Sequence, residues 1–201
     1  MVESGTPYND TPVSVEDAGD FVEGVSFDSK AAVYIAEAQA LADARADLYA
    51  AISEGLLSAE DLTSPYALED IHHACYGSVW KWAGKLRVRE VSIGAAPENI
   101  RELLYGELQT LNWQVKNLDS IDLTPEFVAM SAHHHLVKIH PFVDGNGRVT
   151  RLFADVLLLA MTGNRIFEWT DSPDYFGALR RADQTMNPEE LLSIVGVIDL
   201  A

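Results

Sequence analysis

Apolar residues recur every three or four positions over most of the chain, and the places where that rhythm stops divide it into elements. From Ser29 to about Gly55 an alanine-rich stretch carries Ile35, Leu41, Leu48 and Ile52 at helical intervals and closes on a glycine, which predicts a long helix. A short turn begun by Ser58 and Asp61 precedes a second helix from Pro65 to about Trp82, with Leu68, Ile71, Cys75 and Val79 on one side. Pro97 opens a third, running to about Asn117, whose inner stripe is Ile100, Leu103, Leu104, Leu108, Leu111 and Val115. Thr124 caps the next, with Pro125 in its first turn and Phe127, Met130, His134 and Val137 following at helical spacing. Pro141 ends it, because proline disfavours the helical conformation of the residue before it. The stretch from about Gly147 to Met161 is apolar nearly all round after Arg151 and is expected at the centre of the domain, with Gly163 closing it. Pro173 to about Thr185 and Pro188 to about Val195 read as two further helical segments.

One stretch exchanges the helical rhythm for a period of two. Between Gly84 and Gly94, Leu86, Val88, Val91 and Ile93 alternate with Lys85, Arg87, Arg89, Glu90 and Ser92, and the alternation slips at Arg89-Glu90. This predicts a short hairpin turning there. The expected class is therefore all-α with one small β-hairpin. Residues 1–28 keep no sustained period and are rich in Asp, Glu, Ser, Thr, Pro and Gly, so they read as an acidic arm ahead of one domain over 29–201. Within the arm, Ser14 to Gly24 predicts a short helix capped by Ser14.

Composition narrows the partners. With 48% hydrophobic residues among 201, the chain can bury a core of its own. Its 31 acids outnumber 14 Lys plus Arg, for a formal charge of −17, which excludes a broad nucleic-acid footprint and requires any nucleotide to be held locally. The single cysteine, Cys75, rules out an intramolecular disulfide and reads as a buried, inert thiol. The longest apolar run, Leu152 to Met161, contains Asp155 and is too short to cross a bilayer, and the N-terminus carries no leader pattern. The expectation is a cytoplasmic protein with no membrane and no nucleic-acid partner.

The chemistry concentrates in His140 to Arg151, HPFVDGNGRVTR. Gly145 and Gly147 flank Asn146 at the start of an apolar helix, so several backbone N–H groups can turn toward one anion. Arg148 and Arg151, three residues apart, project from one helix face toward the same anion, and Asp144 is suited to a divalent cation bridging phosphate oxygens. His140 stands where a general base is useful.

In this order, helix, His-Pro-Phe loop, Gly-Asn-Gly-Arg turn and buried helix, the stretch resembles the Fic family, whose signature is HPFx(D/E)GNGRxxR. Upstream, Trp82-Ala83-Gly84-Lys85-Leu86-Arg87 is similar to the segment leading into that family's flap hairpin, and Tyr175, Leu179 and Ala182 match a looser C-terminal pattern. The layout, including a Thr-Pro segment before an Glu-Gly pair, is similar to the subgroup called mobile mystery protein B. The resemblance implies a Fic-type helical catalytic domain over 29–201 and transfer of AMP from ATP to a Ser, Thr or Tyr hydroxyl of a target protein, with release of pyrophosphate. It implies His140 as the base, Asp144 on Mg²⁺ or Mn²⁺, Gly145, Asn146 and Gly147 around the α-phosphate, and Arg148 and Arg151 on the β- and γ-phosphates, with Phe142 turned into the core. Lys85 to Ile93 becomes the flap that docks the target as an added strand. Tyr175 borders the adenine pocket by position in the family pattern, with core packing as the other reading.

The family's Doc branch transfers a γ-phosphate instead and resembles the pattern with lysine where this chain has Gly147, so Gly147 points to adenylylation. UMP or phosphocholine transfer and AMP removal stay open, and a non-catalytic nucleotide-binding module is opposed by the intact His140, Asp144 and Arg148. Many Fic proteins are held off by a helix of pattern (S/T)xxxE(G/N) whose glutamate meets the second arginine. Glu23-Gly24 fits its last two positions, with Gly19 departing at the first, and would target Arg151; control of a toxin-like enzyme by a separate small antitoxin is the competing arrangement. His133-His134-His135 cannot close on one ion from consecutive helical positions and reads as packing and polar contacts, as does His72-His73.

Overall fold

The computed structural model describes Ser14 and residues 18–200. The arm before residue 14, and residues 15–17 of the helix expected from Ser14 to Gly24, lie outside the described residues. Among the described residues the helices are α1 (Lys30–Ser53), α2 (Ala67–Tyr76), α3 (Ile100–Lys116), α4 (Pro125–Ile139), α5 (Asn146–Thr162), α6 (Pro173–Thr185) and α7 (Glu189–Ile194). Three start on side-chain caps. Ser29 Oγ accepts from Ala32 N at 3.3 Å, Thr124 Oγ1 from Phe127 N at 3.2 Å, and Ser172 Oγ from Tyr175 N at 3.2 Å. Each cap satisfies one of the free N–H groups of a first turn, and proline follows at the start of α4 and α6, where no N–H is needed.

α5 is the centre. Val149, Leu152, Phe153, Val156, Leu157 and Leu158 are all buried, and α1, α2, α4 and the strand β1 (Arg165–Glu168) pack around it. This follows from a helix apolar on every side, which must be surrounded. Buried within it, the Asp155 carboxylate accepts from Phe167 N at 3.1 Å and Trp169 Nε1 at 2.9 Å, so it holds β1 and the residues after it against α5. On α1, Leu41, Leu48 and Ile52 of the expected stripe pack against the core beside buried Val33, Glu37 and Ala44, and Ile35 alone of the four is exposed. In an alanine-rich helix the small methyls pack closely on either face, so the larger residues alone do not set the rotation. The second helix ends at Tyr76, short of Trp82, and the chain then turns so that Phe21 bridges Trp80 and packs with Val33 and Val79.

The small two-stranded sheet is present, but not where the alternation places it. β1 pairs antiparallel with β2 (Gly196–Asp199), Arg165 opposite Asp199 and Glu168 opposite Gly196. Lys85 to Ile93 runs as an unpaired loop. The reason lies in Arg87 and Val88. Arg87 is buried while Val88 is 91% exposed and Ile93 largely exposed, so the apolar positions do not form one inner face. The loop's backbone groups are taken by the end of α4 instead: Arg87 N donates to Pro141 O at 2.9 Å and Ala95 N to Ile139 O at 3.0 Å. No helix among the described residues is long and apolar enough to cross a membrane.

Candidate active site

The loop between α4 and α5 is held from every side. His140 ends α4 in the left-handed region (φ 55°, ψ 60°), with its N–H on Leu136 O at 3.1 Å, which turns the chain away from the helix before Pro141. Asn146 closes the loop: its Oδ1 accepts from Phe142 N and its Nδ2 donates to Phe142 O, both at 2.9 Å. Phe142 is fully buried, as expected, and stacks on His72 with ring centroids 3.8 Å apart. His72 has one proton placement open to it. Gly84 N donates to Nδ1 at 2.8 Å, so Nε2 carries the proton and donates to Asp144 O at 3.1 Å. Burial pushes this imidazole down to about 4, which keeps it neutral. Gly145 is also left-handed (φ 78°), and a Cβ there would strike the Tyr76 ring, so glycine is required.

The turn delivers the first N–H groups of α5 to one place, with Asp144, Arg148 and Arg151 around them. Asp144 is exposed and its Oδ1 accepts from Gly145 N at 2.7 Å. Arg148 lies over the Tyr76 ring, 5.1 Å from its centroid, and its Nη1 meets Glu37 Oε2 at 2.7 Å while Nη2 stands 3.6 Å from Asp144 Oδ2. Glu37 is 2% exposed, and its other oxygen accepts from Trp80 Nε1 at 2.8 Å. This buried acid holds one end of the guanidinium and leaves the rest toward solvent. Arg151 is flanked by Trp169 and Tyr175, its guanidinium carbon 5.7 and 4.8 Å from the ring centroids, and its Nη2 pairs with Asp171 Oδ1 at 2.7 Å. Its buried Nε has no hydrogen-bond partner among the described residues.

Across His140 lies the loop predicted as a flap. Arg87 is turned inward, and its guanidinium donates to three carbonyls: Nε to His140 O at 2.8 Å, Nη1 to Arg89 O at 3.0 Å and Nη2 to Ala95 O at 2.5 Å. Gly94 (φ 103°) presses on His140 so closely that a Cβ would run into the His140 Cβ and the Arg87 guanidinium. Burial holds the His140 imidazole below its ordinary value, and the Arg87 charge acts in the same direction, against the Val137 carbonyl and Asp144. Behind the loop, a cavity of about 730 Å³ opens between Ile93, Gly94 and Ala95 on one side and Ile139, Leu179 and Asp183 on the other.

His140, the glycine turn that opens α5, Arg148 and Arg151 all lie in the segment that the Fic/DOC family model matches, residues 62–158. The chain carries a Fic/DOC family domain. It is 36% identical over 81 residues to protein adenylyltransferase fic-1 of Caenorhabditis briggsae, covering 38% of this chain and 15% of that protein. It is 35% identical over 107 residues to protein adenylyltransferase Fic of Nematostella vectensis, covering 50% and 24%. The matches thus span less than a quarter of these relatives' own length. Among solved structures, the Bartonella tribocorum BepC protein, a VirB-translocated effector crystallised with bound AMPPNP, superposes with a TM-score of 0.61 at 18% identity, covering 86% of this chain and 92% of that one. At that identity the likeness is one of fold.

Of the expected site residues, Asn146 and Gly145 order the turn, Asp144 and Arg148 stand 3.6 Å apart, and Arg151 lies in its own cradle of Trp169, Tyr175 and Asp171. Three expectations are corrected, and of the two readings of Tyr175 core packing is the one found. Lys85 to Ile93 is a loop and not a hairpin, for the reasons above. Arg87 is a clamp on the His140 loop and is not free to dock a target, because its donors are spent on three carbonyls. Tyr175 is buried beneath Arg151 with its hydroxyl 2.7 Å from His133 Nε2, so it is core and not a wall of the cavity. Glu23 is exposed in the turn ending at Gly24, and the carboxylate on Arg151 is Asp171. Glu37, Asp171 and Trp169 were not foreseen. Glu37 had a visible signal, an acid at helical spacing from Val33 and Ala44; the other two lie in an irregular segment where spacing says nothing. Of the histidine run, His133 meets Thr150 and Tyr175, His134 meets Asp183 at 3.1 Å and His135 meets Glu107 at 2.9 Å.

Proposed function

We propose that this Fic chain transfers AMP from ATP to a hydroxyl side chain of a target protein. The observation that carries the reading is three features on one stretch of chain: an open N-terminal turn of α5, two arginines held by carboxylates, and His140 beside an exposed loop. A Cβ at Gly147 would meet nothing within 4 Å, so that side of the turn has room for a phosphate. The adjoining cavity, apolar at Ile93, Ile139 and Leu179 with Asp183 at its rim, suits a nucleoside. The relatives named protein adenylyltransferase and the AMPPNP held by the BepC structure point the same way.

In this reading the target hydroxyl oxygen attacks the α-phosphorus, the bond from that phosphorus to the bridging oxygen breaks, and pyrophosphate departs. His140 takes the hydroxyl proton. The α5 turn holds the α-phosphate, and Arg148 and Arg151 hold the rest of the chain and its growing charge. Asp144 is a single exposed carboxylate, and among the described residues no cluster of three or more His, Cys, Asp or Glu stands ready for a metal. Asp144 would hold Mg²⁺ or Mn²⁺ here, and the ion would supply charge neutralisation. The exposed part of the loop, Val88 to Ile93, offers backbone to an extended target segment.

The test is incubation of the protein with Mg²⁺, a lysate and ATP labelled at the α or γ position. Label from the α position on protein, abolished by His140→Ala, supports the reading; label from the γ position alone replaces it with phosphotransfer, and none at all removes it. The pH profile has a defined sign. His140 must be neutral to act and is held below its ordinary 6.5, so kcat/KM rises with pH and levels off at a midpoint below 6.5. A midpoint above 6.5 contradicts the burial argument.

A further inference from the structure

Behind Arg151 lies a buried polar chain that the reaction above does not use. His133, on α4, is fully buried, with Nδ1 3.1 Å from Thr150 Oγ1 and Nε2 2.7 Å from the Tyr175 hydroxyl. The proton positions follow from counting donors. Thr150 has one hydroxyl hydrogen, and it goes to the Asn146 carbonyl at 2.8 Å, so Thr150 accepts from Nδ1, which carries the ring proton. Burial pushes His133 down to about 3, so the ring is neutral, Nε2 is bare, and the Tyr175 hydroxyl donates to it. The same ring packs on Trp169 with centroids 4.8 Å apart. Tyr175 and Trp169 are the two rings that flank Arg151. Both aromatic walls of that arginine's cradle therefore rest on one imidazole, whose other nitrogen reaches, through Thr150, the residue that closes the anion turn.

We propose that His133 is a positioning residue: a single-tautomer imidazole that ties the Tyr175 and Trp169 cradle of Arg151 to the turn at Asn146, so that Arg151 meets the phosphates already oriented. The proposal rests on the reading of Arg151 as a phosphate ligand. An arginine side chain has many rotamers, and ordering it before the ligand arrives removes that cost from binding. The chain also explains why a polar ring sits at the centre of an apolar core: each of its two nitrogens has a partner of the opposite sense, so burial leaves nothing unsatisfied.

The test uses the full chain and AMPPNP. Tyr175→Phe keeps the ring under Arg151 but removes the donor to Nε2, and Thr150→Val keeps the shape but removes the acceptor for Nδ1–H. His133→Gln is expected to weaken AMPPNP binding about tenfold and to raise KM for ATP by the same factor, with kcat within about threefold of wild type. The two milder variants shift binding in the same direction. In an Arg151→Ala background, His133→Gln has no further effect on binding. The ¹⁵N spectrum of labelled histidine gives His133 as the neutral Nδ1–H form, a readout that needs no ligand. Unchanged AMPPNP affinity in Tyr175→Phe and folded His133→Gln overturns the proposal, as does an effect additive with Arg151→Ala or an Nε2–H spectrum. A merely structural role lowers Tm and kcat at constant KM and also overturns it; if His133→Gln fails to fold, Thr150→Val decides, since Thr150 reaches Arg151 only through His133. Failure of the transfer reading alone looks different: wild type binds AMPPNP but moves no label onto protein, and the binding comparison stands.

Discussion

Residues 140–147 and 85–95 face each other across the same imidazole and are built in opposite ways. In the first, nearly every inward polar group has a partner: Asn146 takes both backbone groups of Phe142, His72 takes the Asp144 carbonyl, and Tyr76 presses on Gly145. In the second, one buried side chain, Arg87, does most of the holding, and the apolar residues beyond it face solvent. The difference teaches where precision is needed. On the proposed reading, phosphates present fixed charges at fixed spacing, so a turn that is to receive them is best pre-ordered; an extended protein segment varies, so a loop that is to meet it is best left with free backbone between two anchors. Breaking the pre-ordered side should therefore cost folding and nucleotide binding together. Breaking the exposed part of the free side, away from its Arg87 and Gly94 anchors, should cost target recognition alone.

The largest effect is expected at Asn146. Asn146→Ala removes two buried hydrogen bonds and strands the Phe142 N–H and C=O, a loss of about 2–5 kcal/mol by denaturant unfolding, with AMPPNP binding lost as well. A loss under about 0.5 kcal/mol would mean the turn is held by its glycines and not by this amide. Next is Gly94→Val, where the contact between the two regions is tightest. A β-branched residue cannot take φ 103°, and its Cβ would push on His140, so about 1–3 kcal/mol and most of the transfer activity should go, while AMPPNP binding falls less. Third is Arg87→Lys. An ammonium cannot serve three carbonyls in a plane, so the loop should loosen by about 1–2 kcal/mol, read as faster hydrogen exchange at the amides of Arg87 and Ala95. Unchanged exchange there would show that the two backbone anchors suffice.

The same contrast governs what could be read from the sequence. Helices α3 to α6 announce themselves through caps, prolines and stripes, because those signals act within a few residues. The motif residues were legible for the same reason: a turn of two glycines entering an apolar helix has its geometry written locally. Arg87 was not. Its place in a strand-like alternation hid that its guanidinium turns inward onto the carbonyls of Arg89 and Ala95 and onto that of His140, more than fifty residues away. Tyr175 stayed open between two readings, since an aromatic at a pattern position looks the same whether it lines a cavity or lies beneath an arginine. Asp171 and Glu37 hold the two arginines across long sequence distances, which no local period can report.

Val88 carries the smallest effect and the sharpest separation of the two regions. It is 91% exposed, so Val88→Ser removes no buried surface and should leave stability within about 0.5 kcal/mol of wild type, with Tm and AMPPNP affinity unmoved. If an extended target segment lies along this loop, a β-branched residue at the contact contributes the few tenths to 1 kcal/mol typical of a cross-strand pair, so KM for the target should rise by roughly two- to fivefold at constant kcat. Serine keeps the backbone N–H and C=O, so the pairing itself survives and the change reads the side chain alone. An equal fall in kcat would place Val88 with the pre-ordered half of the site. A drop in Tm would mean instead that something covers this residue before any target arrives.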